Sequence, residues 1–126
     1  MYRIELTGEC FVHDREQTIL LWCASKSEYA NLEEFVTFCW SRQYEEENYG
    51  QQTLEEWLAE FQMERIPAET FFETIQQYLS DLAYVDVRIP KQYANAFRLL
   101  KEDWNEVLYA AENEHDYLCF WWYTTA

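Results

Sequence analysis

Hydrophobic and polar positions alternate from the start of the chain. Tyr2, Ile4 and Leu6 fall on one side and Arg3, Glu5 and Thr7 on the other, the pattern of a half-buried strand. Gly8 suits a bulge or bend, with the strand resuming towards Phe11. After the polar turn His13 to Gln17, the run Thr18 to Ala24 (TILLWCA) is β-prone and almost wholly apolar, which predicts a central strand. The two read as an antiparallel hairpin with a loop of about five residues.

The period then changes. Ser25 with Glu28, and Asn31 with Glu34, have capping-box spacing. Leu32, Phe35, Val36, Cys39 and Trp40 recur at helical intervals, so a helix is expected from Leu32 to near Tyr44. Glu45, Glu46 and Glu47 oppose the macrodipole at a helix C-terminus and are assigned to a loop or frayed end. Thr53 and Glu56 form a further capping box, and Leu54, Trp57, Leu58 and Phe61 make an apolar stripe. A helix continuing from there places Glu56, Glu60 and Glu64 on one face, about 6 Å apart along its axis.

Pro67 suits the first turn of a third helix, in which Phe71, Phe72, Ile75, Tyr78, Leu79 and Leu82 keep helical spacing. Ala83 to Ile89 switches to period two, Val85, Val87 and Ile89 against Tyr84, Asp86 and Arg88, predicting a strand that ends at Pro90. Tyr93, Ala96, Phe97, Leu100, Trp104, Val107, Leu108 and Ala111 fit a long helix over Lys91 to Glu112. Tyr117 to Thr125 (YLCFWWYTT) predicts a closing strand, buried on both faces and paired with the N-terminal hairpin. The order β-β-α-α-α-β-α-β describes an α+β fold, a single domain over residues 1–126. Its antiparallel or mixed sheet would have about four strands covered by helices.

Composition supports a folded globule: 49% of the residues are hydrophobic and 19% aromatic, with six Trp and ten Tyr. An acidic disordered tail would be poor in such residues. The four cysteines, Cys10, Cys23, Cys39 and Cys119, form no C-x-x-C pair and sit in apolar runs, as buried reduced thiols of a cytoplasmic protein do. Nothing near Met1 resembles a signal peptide, and the apolar run Ile19 to Ala24 is too short to span a bilayer.

Charge changes the picture most. The formal net charge is −15, against a magnitude of roughly 2–8 for a typical small domain. Such a field repels nucleic acid and anionic membranes, whose affinity comes from Lys and Arg. It favours a basic partner. From Glu45 to Glu64 there are seven carboxylates and no Lys or Arg: Glu45, Glu46, Glu47, Glu55, Glu56, Glu60 and Glu64. Further on, Lys91, Arg98 and Lys101 form a basic segment. It is followed by six acids without Lys or Arg between Glu102 and Asp116, and the two are expected to pair internally.

Other chemistry finds less support. Cys10 and His13 stand three residues apart on one hairpin, so their side chains alternate faces and do not form a thiolate–imidazole couple. No zinc or calcium spacing occurs. Two His and three carboxylates would gather only if His13-Asp14 and Glu114-His115-Asp116 met at one end of the sheet. Asp81 and Asp86 flank an aromatic segment and are the best-placed carboxylate pair for acid–base work, but no substrate-binding motif accompanies them. Trp121, Trp122 and Tyr123 read as core aromatics, because base-stacking platforms come with a basic groove. No catalytic residue, cofactor or metal ligand is therefore assigned.

In charge, size and the Glu45–Glu64 stretch, the chain resembles the DNA-mimic inhibitors of host defence carried by phages and plasmids, of the anti-CRISPR and antirestriction type. The resemblance implies a non-enzymatic inhibitor. It would present Glu45, Glu46, Glu47, Glu55, Glu56, Glu60 and Glu64 to the Lys/Arg-rich, nucleic-acid-binding groove of an effector. Duplex DNA carries one charge per about 3.4 Å of each strand, a density that carboxylates on successive helical turns approach. Two alternatives stand beside it: an immunity protein or antitoxin that plugs a basic nuclease-type toxin, and an enzyme or ligand-binding domain that uses its aromatic interior. A homodimer is compatible with each.

Overall fold

The computed structural model describes residues 1–47, 52–101 and 103–125. Its centre is one antiparallel sheet of six strands in the order β1-β2-β6-β5-β4-β3. The strands are β1 (Tyr2–Leu6), β2 (Gln17–Ser25), β3 (Glu64–Ile66), β4 (Asn95–Arg98), β5 (Glu106–Glu112) and β6 (Asp116–Thr124). Helices α1 (Leu32–Glu47) and α2 (Leu54–Ala59) follow β2, and α3 (Ala68–Leu79) links β3 to β4.

The alternation of side chains across a strand builds two cores. Leu20 and Trp22 of β2, Leu108 and Ala110 of β5, and Cys119 and Trp121 of β6 pack beneath Phe35, Val36, Cys39 and Trp40 of α1. Ile19, Leu21, Val107, Ala111, Leu118 and Phe120 face the other way, towards Phe71, Ile75 and Leu79 of α3. Both faces of β2, β5 and β6 are covered, which is why their sequences are nearly continuous apolar runs. The expected pairing is present: β1 with β2, and β2 with β6 from Gln17↔Thr124 to Ser25↔Asp116.

Several expectations are corrected. The sheet has six strands where about four were expected. The helix expected over Lys91 to Glu112 is instead the β4–β5 hairpin, with Ala96↔Ala111 and Phe97↔Ala110 in register. β5 is buried on both faces, so its apolar run carries no period that separates strand from helix, and tertiary packing overrides the helix propensity of Ala and Leu. Small Ala96 and Ala111 lie on the face that α3 covers.

The strand expected over Ala83 to Ile89 has no ladder. Residues 83–94 cross the α3 face of the sheet, where Ile89 is buried and Val87 half-buried, while Tyr84 is 87% exposed. The alternation in this segment reflects inward and outward side chains without strand pairing. Gly8 opens a 3₁₀ turn (Gly8–Cys10) in place of a bulge, and Phe11 makes an isolated bridge to Leu82.

The acidic stretch is also built differently. α1 does not stop near Tyr44 but runs to Glu47. Counter-charges lie outside the stretch: Arg3 on β1, distant in sequence, reaches Glu46 at 2.8 Å, and Arg42, one turn earlier in α1, lies 3.9 Å from Glu45. In contrast, α2 ends at Ala59. The Glu60 and Phe61 amides turn back to the Trp57 and Leu58 carbonyls, and Gln62 N donates to Leu99 O at 2.8 Å. The chain is thereby drawn onto the sheet edge, and Glu64 becomes the first residue of β3, opposite Arg98.

Candidate acidic interface

α2 is short, and its position depends on local bonds. Thr53 and Glu56 complete the expected capping box: Thr53 N donates to Glu56 Oε1 at 3.1 Å and Glu56 N to Thr53 Oγ1 at 3.2 Å. Trp57 stacks on Trp40 with ring centroids 4.4 Å apart. Each indole donates to the other residue's carbonyl, Trp57 Nε1 to Trp40 O at 2.7 Å and Trp40 Nε1 to Trp57 O at 3.2 Å. Tyr44 Oη adds a bond to Gln52 O at 3.0 Å. These contacts clasp α2 to the second half of α1 and fix the surface on which its carboxylates stand.

The seven candidate carboxylates are divided among α1, α2 and β3 and do not form one helical ladder. Glu45 is exposed in the last turn of α1, and Glu46 is held by Arg3. Glu47 ends α1, and its side chain lies outside the described residues. Glu55 is exposed in the first turn of α2, Glu56 serves the cap, and Glu60 accepts from Gln52 Nε2 at 3.1 Å. Glu64 leaves the group and pairs with Arg98 at 2.6 Å. The expected spacing of Glu56, Glu60 and Glu64 along one helix axis is therefore not formed.

Two acids outside the expected set, Asp103 and Glu106, lie beside Glu60 at the end of α2, and exposed Trp104 stands between them in sequence. Asp103, Trp104 and Glu106 lie at and after the turn that follows β4. Glu60, Asp103 and Glu106 line a shallow depression together with Leu100 and Lys101. Trp104 is 71% exposed beside them. Burial pushes the Glu106 carboxyl above the ordinary carboxylate range, and the charges of Glu60 and Asp103 push it further. A hydrogen bond from Trp121 Nε1, at 2.9 Å, acts in the opposite direction. The surface is thus crowded with negative charge held without full compensation.

A raised carboxylate costs stability above its folded pKa, and that cost vanishes below the unfolded pKa. Glu106→Gln keeps an acceptor for Trp121 and removes the charge. It is expected to raise Tm by a few degrees at neutral pH, with the gain fading as pH falls through the carboxylate range. Thermal melts across pH check this.

Other candidate chemistry separates spatially. The strand register places His13 and His115 at opposite ends of the β2–β6 pair, so their carboxylates do not converge. Among the described residues no three metal-ligating side chains cluster. Asp81 and Asp86 do not act as a pair: Asp86 faces Arg88 at 3.0 Å in solvent, while Asp81 organises the loop before β2. Asp81 meets His13 Nδ1 at 2.6 Å and accepts from the His13 and Asp14 amides and from Gln17 Nε2.

The His13 bond is the main cause that holds Asp81 below the ordinary carboxylate range. A lowered carboxylate stabilises above its unfolded pKa, and that contribution is lost as pH falls through the folded one. Asp81→Asn is expected to lower Tm at neutral pH, with the gap to wild type closing in strong acid. The same melts read it.

All four cysteines are free, and burial pushes the Cys39 thiol far up, which disfavours a thiolate. No helix among the described residues is long and apolar enough to cross a membrane. Comparison of the chain with protein-family models, curated proteins and solved structures returns no match.

Proposed function

We propose that the chain is a non-enzymatic inhibitor that binds the Lys/Arg-rich groove of a nucleic-acid-binding effector through its α1–α2 surface. The observation that carries this reading is that Glu60, Asp103 and Glu106 line one depression just past the end of α2, with Trp104 exposed between the two acids in sequence and Glu55 exposed on α2 itself. Carboxylates kept close together at a cost in self-repulsion suit a surface that a cationic partner will neutralise. An exposed Trp within it suits the aromatic anchor of a protein interface.

The binding set is Glu45, Glu46, Glu55, Glu56 and Glu60, extended by Asp103 and Glu106. Glu47 belongs to the set by sequence alone. Glu64, neutralised by Arg98, is expected to contribute little. The reading is looser than a phosphate-by-phosphate imitation, because the helical ladder is missing. An immunity protein that occupies a basic toxin uses the same surface chemistry and differs in the partner captured.

The test is capture of partners on the immobilised protein at low ionic strength, followed by a salt gradient. The reading predicts retention of a basic nucleic-acid-binding protein that elutes steeply as salt rises. Retention indifferent to salt would contradict it.

A further inference from the structure

On the face of the sheet opposite α1 and α2, the segment 83–94 roofs a cavity of about 160 Å³. That is close to the ~150 Å³ of an engineered apolar cavity that takes up benzene. Leu21 and Leu118 form its floor, and Val87 and Ile89 lie across it.

Polar groups line the same cavity: Tyr2, Cys23, Tyr93 and Asp116. They are neighbours, since the Tyr2 hydroxyl and Cys23 thiol share a hydrogen bond and the Asp116 charge acts on both and on Tyr93. Tyr2 is pushed up to about 12, chiefly by that bond, and burial pushes Tyr93 up as well, so both phenols are neutral at physiological pH. The Tyr93 hydroxyl is buried and has no hydrogen-bond partner among the described residues. The one cation on the lining, Arg88, faces Asp86 at 3.0 Å.

We propose that this cavity binds a small organic ammonium ion, its hydrocarbon part between Leu118 and Val87 and its head at Asp116 and the Tyr93 hydroxyl. The chemistry selects this class. Asp116 and a net charge of −15 disfavour an anion. The absence of a three-ligand cluster among the described residues disfavours a metal ion. An ammonium group has several N–H donors and can donate to both the carboxylate and the unpartnered phenol. The volume limits the ligand to roughly the size of benzene.

The experiment is a titration followed by two-dimensional amide NMR. It uses isoamylamine, with isoamyl alcohol as the neutral isostere and isovalerate as the anionic one, at constant ionic strength. The proposal predicts saturable shifts from the amine, centred on Leu21, Tyr93 and Leu118, with at least tenfold weaker binding of the alcohol and none of the anion. Asp116→Asn should weaken the amine at least tenfold and leave the alcohol unchanged, and Val87→Phe, which fills the cavity from its roof, should abolish both. The proposal is overturned by equal binding of amine and alcohol, by shifts spread over the acidic surface that do not saturate, or by an Asp116→Asn variant that binds the amine as wild type does. No shift from any of the three ligands overturns it too.

Discussion

Trp40→Ala is expected to destabilise the protein by about 3–5 kcal/mol, the range for truncating a buried Trp. Trp40 is only 2% exposed and meets Trp57 in a stack and Trp121 edge-on, with centroids 5.4 Å apart. Truncation leaves a cavity between α1 and the sheet and removes the platform on which α2 rests. It also leaves the Trp57 carbonyl without its indole donor. Against a folding stability of roughly 5–15 kcal/mol, this is a large fraction. Denaturant titration should show a large drop in midpoint. Trp40→Phe keeps the stacked ring, loses the donor, and should cost clearly less. A loss below about 1 kcal/mol for the alanine variant would mean that the paired indoles do not hold α2 in place.

The second large effect is on binding. Glu45→Lys, Glu55→Lys and Glu60→Lys reverse carboxylates that are not committed to the cap or to the Arg3 and Arg98 pairs. Each reversal adds two charges, so the net charge moves from −15 to −9. Close charge pairs across an interface couple by roughly 1.5–7 kcal/mol. Three reversals are therefore expected to weaken binding to a basic partner by more than about a hundredfold. A control triple, Glu9→Lys, Glu73→Lys and Glu114→Lys, makes the same change in net charge away from α2. It should retain most of the affinity. Equal losses from both triples would show that bulk charge, not this surface, drives association.

Legibility in the sequence followed the physics of each element. β1 alternates, β2 and β6 are long β-branched or aromatic runs, and α3 keeps an apolar stripe at Phe71, Ile75 and Leu79; all four were readable. β4 and β5 were not, because the helical spacing of Tyr93, Ala96, Phe97 and Leu100 is coincidental and β5 is apolar on both faces. β3 has three residues, too few for any period.

The same misread helix hid two acids of this surface. A helix over Lys91 to Glu112 would pair Asp103 and Glu106 with Lys91, Arg98 and Lys101, whereas Arg98 pairs with Glu64 and the β4–β5 turn brings both acids to Glu60. Thr53, Glu56 and Trp57 were legible because capping and an apolar stripe are local signals. The end of α2 was not, since it is set by the Gln62 bond to Leu99, far along the chain.

The most direct measurement of the central claim is competition on the captured partner. The protein is immobilised at low salt, loaded with the lysate fraction it retains, and washed with increasing duplex DNA at fixed ionic strength. If the α1–α2 surface occupies a nucleic-acid groove, duplex DNA will displace the partner, and the Glu45, Glu55 and Glu60 triple reversal will capture nothing that DNA displaces. A partner that stays bound at saturating DNA, or that the triple reversal retains as well as wild type does, would contradict the claim.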